Sequence, residues 1–417
     1  MIWVMNRVVN RLFTLVVGVL FASATPVITA TIKNKPEKTS KIYQQAKRDT
    51  QAEGRLISIY KLIGQAKTRE ALPLARQLVQ DHPNFQLAQL VYGDLLSAQT
   101  RPLRSLGDVP DTTAEASAPQ LLELRKESLL RLQALQERPA PGLIPAQFIA
   151  LSARNKHAIA VDAAKSRLYL FENSASGMQL VGDYYISVGK SGTEKTVEGD
   201  LRTPLGVYFV TSTLSPKTLK NFYGSGALPI NYPNQLDVKR GKTGSGIWLH
   251  GSPPNQFSRA PLATDGCVVL ANFDLERIIK TIEVRTTPVV IAQSLKWVTP
   301  QTAKSDGKNF EDALAAWSSA KSSGDMSRLL RWYTADFTSY GKTLADYVPA
   351  LQQEVKQLAG KNIQLKDLSY LRWVDANETM VVTFGELTQG ATTGRMKRQY
   401  WIRQGTQWKI FFEGVIG

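Results

Sequence analysis

Apolar residues recur along the chain with two different periods, and the change between them divides it. From Gly54 to Ala98 they step by three and four. Leu56, Ile57, Ile59, Tyr60 and Ile63 form one set, and Ala71, Leu72, Leu74, Ala75, Leu78 and Val79 the next, the spacing of one helix face. Asp81-His82-Pro83-Asn84 breaks the run before Leu87, Ala88, Leu90, Val91, Leu95 and Leu96 resume it. Residues 99–118 read as a loop and 119–137 as a further helix, closed by Pro139, Pro141, Gly142 and Pro145. From residue 155 the period falls to two. His157–Asp162 and Arg167–Glu172 predict a hairpin, and Gln179–Gly189, Val207–Thr213, Ile247–His250, Cys267–Leu270 and Pro288–Ala292 predict further strands. A long loop occupies 219–234, and Asn272, a suitable N-cap, opens a short helix. Helical spacing returns over 308–332, with a turn at Ser322-Ser323-Gly324-Asp325, and over 347–358. Four strand-like runs follow: Gln364–Trp373, Thr379–Leu387, Arg395–Arg403 and Trp408–Glu413.

The fold class expected is therefore multidomain α and β. An N-terminal helical region spans 31–150, a central mostly-β domain 151–294, a linker 295–307 and a cone-shaped α+β accessory domain 308–417. A chain of 417 residues exceeds one ordinary domain, and a hydrophobic fraction of 43% is enough for several cores. Within the helical region, the helix, Pro-containing break and second helix resemble one tetratricopeptide-like unit. One such unit cannot bury its own face, so a plain helical hairpin leaning on the central domain stays open as the alternative.

Charge and termini narrow the setting. The net charge of +16 favours polyanions by long-range steering: anionic lipid, a carboxylate-rich cell wall or nucleic acid. No basic block, zinc-finger spacing or RNA-binding aromatic motif is present, which argues against nucleic acid as a partner. Residues 1–30 read as an export signal: Arg7 and Arg11, an apolar run from Leu12 to Ala22, and a small-residue cleavage site at Ala22-Ser23-Ala24. The run is short for a membrane span of about 20 residues. The expectation is an exported protein of the periplasm or cell envelope, with a membrane contact only if the signal stays uncleaved.

The chain has one cysteine and three histidines, so no intrachain disulfide can form, and His82, His157, His250 and Cys267 lack metal-ligand spacing. No metal or cofactor is expected. His250 and Cys267 lie 17 positions apart, each beside a glycine (Gly251, Gly266) and each bordering an apolar run that reads as strand. Between them Ser252 to Pro261 suits neither helix nor strand. The chain thus presents an imidazole, crosses the surface and returns with a thiol. A free thiol is only a few per cent thiolate at neutral pH, and a neighbouring imidazole raises its reactivity. Gly266 would let the backbone pass close to a substrate, and amides around Gly266 and Cys267 would hold an oxyanion. The alternatives are a small buried hydrophobe at 267 and a structural histidine at 250. His157, at the entry of a hairpin, reads as structural.

His250-Gly251, a loop and Thr264-Asp265-Gly266-Cys267-Val268, preceded by Val188-Gly189-Lys190 and Thr203-Pro204-Leu205-Gly206-Val207-Tyr208, resemble the L,D-transpeptidase catalytic domain (YkuD-type) over about residues 155–293. The resemblance implies peptidoglycan stem peptides as substrate, Cys267 as nucleophile and His250 as base. Transfer of the diamino-acid acyl group to an amine would form a cross-link or a protein–wall bond, with a wall-anchored protein or another cell-wall enzyme as partner. Two positions depart from the family pattern: Asp265 stands where many members have His or Arg, and Val269 where many have Arg. Arg202 or Arg259 would then grip the substrate carboxylate. Asp265 would either orient His250 or be an exposed turn residue. Gly251, Thr264 and Tyr232 complete the expected substrate-binding set, Tyr232 either lining the cleft or packing a loop. Hydrolysis of the same bonds (L,D-carboxypeptidase or amidase), a cysteine peptidase unrelated to the wall, and a catalytically decayed wall-binding scaffold remain open. The C-terminal region resembles the ketosteroid-isomerase/nuclear-transport-factor-like fold, which predicts no reaction. Its Trp373, Trp401, Trp408 and Tyr400 are expected in the core.

Overall fold

The computed structural model describes residues 52–108, 111–358 and 360–416. The expected export signal lies outside the described residues. The helical stretch forms as α1 (Ala52–Gly64), α2 (Thr68–Asp81) and α3 (Gln86–Ser97), followed by a long α4 (Asp111–Gln136). Leu56 and Ile59, Ala75 and Leu78, and Leu87, Val91 and Leu95 turn their stripes into one core. That core is completed by Phe257 and Ala271 of the central domain. The pair around the Pro83 break therefore leans on the central domain, as the alternative to a tetratricopeptide-like unit expects. α4 starts inside the expected 99–118 loop, because its first two turns carry no apolar period to betray them.

The central sheet runs β6 (Gly206–Phe209), β11 (Pro288–Ala292), β3 (His157–Asp162), β4 (Arg167–Ser174), β5 (Gly177–Gly189), β10 (Val268–Leu270), β8 (Trp248–His250) and β7 (Ala227–Pro229), with β9 (Leu262–Thr264) pairing β5. Period-two alternation sorts its two faces. Ile159 and Val161 enter one core, with Leu249, Val268 and Leu270. Ala158 and Ala160 enter another, with Tyr169, Val207 and Phe209. The sheet is thus covered on both sides. β7 and the short helix α5 (Gln235–Lys239) fall inside the expected 219–234 loop and just beyond it, where Pro229 and Pro233 masked them.

The C-terminal sheet runs β14 (Lys342–Thr343), β13 (Tyr333–Ser339), β18 (Gln407–Val415), β17 (Arg395–Gln404), β16 (Glu378–Thr388), β15 (Ile363–Val374) and β2 (Phe148–Ala150). Helices α7 (Pro300–Ser323), α8 (Met326–Leu330) and α9 (Leu344–Leu358) accompany it. Phe310, Leu314 and Trp317 of α7 pack with Trp401 and Trp408. Tyr400, Phe411 and Phe412 face the other way and join Phe209 and Tyr169 of the central sheet. All four expected core aromatics are buried, Trp401 completely.

Two expected boundaries change. β2 pairs with β15 (Leu371↔Phe148), and β1 (Ile144–Pro145) pairs with β12 (Trp297–Val298), so 144–150 do not end a helical region. The expected 295–307 linker holds β12 and the start of α7. There Thr299 accepts a hydrogen bond from Thr302 N and Pro300 occupies the first turn. A polar run of Lys, Ser, Asp and Gly hid that helix start.

Candidate active site

His250 closes β8, and β10 lies parallel beside it with Val268 opposite Leu249 and Val269 opposite His250. Extending that register backwards sets Cys267 beside Trp248. Side chains two apart share a face of a strand, so the imidazole and the thiol project from one face of adjacent strands, offset by two residues. The Cys267 thiol donates to Gly246 O at 3.5 Å. Its sulfur is half-buried rather than sealed in the core.

The imidazole is held tightly. His250 Nδ1 lies 2.8 Å from Gly251 O. A carbonyl can only accept, so Nδ1 carries the hydrogen and Nε2 the lone pair. Tyr223 packs edge-on at 5.0 Å and Phe222 lies at 5.9 Å. Burial pushes the imidazole down to about 4; the Gly251 contact opposes this and the Arg259 charge adds to it. Burial pushes the Cys267 thiol up, against the pull of the Trp248 backbone N–H. The resting pair at neutral pH is therefore neutral thiol and neutral imidazole, not an ion pair.

The loops around the pair are fixed by close approach. A Cβ on Gly251 would overlap Asn272 Oδ1. The sequence predicts Asn272 as the cap of its helix, α6 (Asn272–Thr281), but Ala271 holds that position, without a side-chain bond. Instead Asn272 Oδ1 accepts from Ser225 N at 2.9 Å and its Nδ2 donates to Ser252 O at 2.9 Å, tying the loop before β7 to the one after His250. Gly266 has φ +124°, and a Cβ there would sit 2.7 Å from Arg202 O. The close neighbour is thus the chain's own backbone. Thr203 Oγ1 accepts from Gly189 N and donates to Gly266 O at 2.9 Å, which explains why the Gly-Lys and Thr-Pro segments accompany Gly-Cys.

Several expected roles are corrected. Thr264 Oγ1 accepts from Gly266 N at 3.1 Å and donates to Cys267 O at 2.7 Å, so buried Thr264 shapes the turn rather than binding substrate. The Gly266 amide is consequently engaged, and of the two expected oxyanion donors only the Cys267 N–H lacks a protein acceptor among the described residues. Asp265 pairs with Lys190 Nζ at 2.9 Å on the surface, and Gly251 O, a backbone atom, orients His250 in its place. Tyr232 is 5% exposed, donates to Thr243 O at 3.0 Å and belongs to the core. Gly251 positions the imidazole and receives Tyr223 O at its own N–H. Arg202 donates to Thr193 O at 2.9 Å. The Arg259 guanidinium lies 4.4 Å over Phe222, and its charge acts on both His250 and Cys267; the Lys195 charge also acts on Cys267. His157, read as structural, bonds Glu283 at 3.0 Å.

Sequence reasoning missed the anchor of the loop that carries Arg259. Phe257 stacks on Phe85 at 4.1 Å, its N–H donates to Asn84 O, and Asn84 Nδ2 reaches Pro254 O. Ser258 Oγ donates to Glu127 at 2.8 Å, and Tyr185 OH donates to Arg259 O at 2.9 Å. The only signal was a lone aromatic in a polar loop. Among the described residues no three His, Cys, Asp or Glu side chains converge as a metal site.

Residues 156–291 match the L,D-transpeptidase catalytic domain (YkuD), and residues 309–414 match the Cds6 C-terminal NTF2-like domain. The chain is similar in structure to Bdellovibrio bacteriovorus Bd1075, with TM-score 0.56 and 24% identity over 66% of this chain and 98% of that one. It is also similar to the helical cell shape determining protein Pgp2 from Campylobacter jejuni, with TM-score 0.52 and 23% identity over 64% of this chain and 95% of that one. At these identities the likeness is one of fold. No curated protein matches the chain significantly. No helix among the described residues is long and apolar enough to cross a membrane.

Proposed function

We propose that this protein is an exported peptidoglycan L,D-transpeptidase of the cell envelope that uses Cys267 as nucleophile, and that it contributes to cell shape. The observation that carries the reading is the shared face of His250 and Cys267, with the imidazole's basic nitrogen left available by the Gly251 carbonyl. The family match and the likeness to a helical cell shape determining protein support the wall as the setting.

In this reading a stem peptide lies across β8 and β10 with the carbonyl between its diamino acid and D-alanine at the sulfur. Because both groups rest neutral, His250 Nε2 takes the thiol proton as the S–C bond forms. The Cys267 amide stabilises the oxyanion, a contribution of about 2.7–4 kcal/mol for one such donor. Collapse expels the D-alanine amine, which takes the proton from the imidazolium and leaves a thioester. An acceptor amine on a second peptide or a wall-anchored protein attacks the thioester and completes the transfer. Arg259 binds the substrate carboxylate, the role left vacant by Val269.

The test is the muropeptide profile of cells carrying wild type against Cys267→Ala. Loss of dimers joined through the diamino acid supports transfer. Loss of shortened monomers instead assigns hydrolysis, and an unchanged profile with retained sacculus binding assigns a scaffold. Carbapenem acylation followed by intact mass gives an independent check: no adduct on the wild type, or an undiminished adduct on Cys267→Ala, refutes the thiol mechanism.

A further inference from the structure

Between the central domain and the C-terminal sheet lies a cavity of about 510 Å³, lined by none of His250, Cys267 and Arg259. Its walls are largely apolar, with Phe209, Val284, Met396 and Val415 contributing. Three arginines also line it, Arg154, Arg285 and Arg398, against one acid, Asp367, which lies 3.7 Å from Arg154.

Arg398 is the unusual member. It is only 9% exposed, its Nε donates to Thr383 Oγ1 at 3.1 Å, and its guanidinium carbon stands 3.3 Å over the Phe209 ring. No carboxylate among the described residues pairs with it. The adjacent residue shows the contrast: Lys397, buried on the opposite face of β17, meets Glu354 at 2.8 Å and Glu413 at 3.1 Å. Burial lowers the Arg398 guanidinium to about 10, and the groups that oppose this are the phenols Tyr400 and Tyr340. An uncompensated buried cation is costly and is normally met by an anion. Arg398 itself lines the cavity, and among the described residues only its Nε has a hydrogen-bond partner.

We propose that this inter-domain cavity binds a small organic carboxylate with an apolar body, its carboxylate on the Arg398 fork and its body against Phe209, Val284 and Met396. A guanidinium presents two parallel donors that match a carboxylate, and apolar walls with one charged anchor are the usual build of a small-molecule site. The cavity volume falls in the range of such sites.

Titration calorimetry on the full chain with 4-phenylbutyrate, and with 4-phenylbutanol as the neutral partner, tests this. The expected result is one-to-one binding of the acid, at least tenfold weaker binding of the alcohol, and unchanged binding in Cys267→Ala. Arg398→Met keeps the stem over Phe209 but removes the charge, and should weaken the acid at least tenfold. Val284→Trp fills the cavity from its rim while leaving Arg398 in place, and should do the same even if Arg398→Met fails to fold. No binding of the acid, equal binding of acid and alcohol, or binding untouched by Val284→Trp overturns the proposal.

Discussion

Iodoacetamide reports the thiolate fraction of Cys267 directly, because no second cysteine competes. An ordinary thiol near 8.5 is about 3% thiolate at pH 7. Burial raises Cys267, so its fraction lies below that. A thiolate–imidazolium pair, with its thiol driven to about 3–4, would be almost fully ionised at the same pH, about 30-fold more thiolate. The alkylation rate, followed by intact mass, should therefore climb about tenfold per pH unit from 6 to 8 with no plateau in that range. The imidazole, near 4, is already neutral throughout that range, so His250→Gln should change alkylation by less than about threefold. Acyl transfer by the same variant should fall by about 10²–10⁴, because the base is needed only once the S–C bond begins to form. A plateau between pH 5 and 8, or alkylation that collapses in His250→Gln, would refute the neutral resting pair.

Thr264→Val keeps the shape of the side chain but strands Gly266 N and Cys267 O, at about 1–3 kcal/mol each; a lowered urea midpoint with lost activity is expected, and an unchanged midpoint would mean the turn is held otherwise. Phe257→Ala removes the stack on Phe85 and should cost about 3–5 kcal/mol if the loop stays docked; hydrogen exchange over 252–261 should quicken and KM rise, and unaltered exchange would contradict the anchor. Burial, helped by the Glu53 charge, pushes the Asp274 carboxyl up to about 7, so its contribution to stability is present below its unfolded value and is lost as pH rises through 7. Asp274→Asn should therefore stabilise the fold at pH 8 by up to about 4 kcal/mol, read as a raised urea midpoint, and give little gain at pH 4. Asp265→Asn breaks only an exposed pair and should shift stability by under about 0.5 kcal/mol while leaving the acid limb of activity in place; a displaced limb would restore an orienting role.

Strand after strand of the central sheet was legible because alternation is a property of letters: Ile159 and Val161 against Ala158 and Ala160 can be read without coordinates. So was the pairing of imidazole with thiol, since glycines and a broken loop mark both ends of it. What failed to show was anything done by backbone atoms. Gly251 O orients the imidazole, and no residue type announces a carbonyl, so the sequence leaves Asp265 open between an orienting carboxylate and an exposed turn residue, and it is the latter. Asn272 carried the right chemistry for a cap but spends it across two loops, a choice only tertiary contacts decide. Tyr232 is open in sequence between lining a cleft and packing a loop, and its ring turns inward, which only the tertiary packing decides. Pairings across long sequence separations, such as Phe148 with Leu371, leave no local trace at all.

That last pairing has a practical side. The outermost rung of the C-terminal sheet is supplied by chain that precedes the catalytic domain, so the order of pieces in space differs from their order of synthesis. The sheet cannot be finished until residues some two hundred positions apart have both emerged, and a proteolytic nick near 295 would leave the halves still laced together. A fragment cut to 309–414 would carry a naked, ladder-ready flank around Tyr370–Arg372, and should clump unless Phe148–Ala150 is grafted back on.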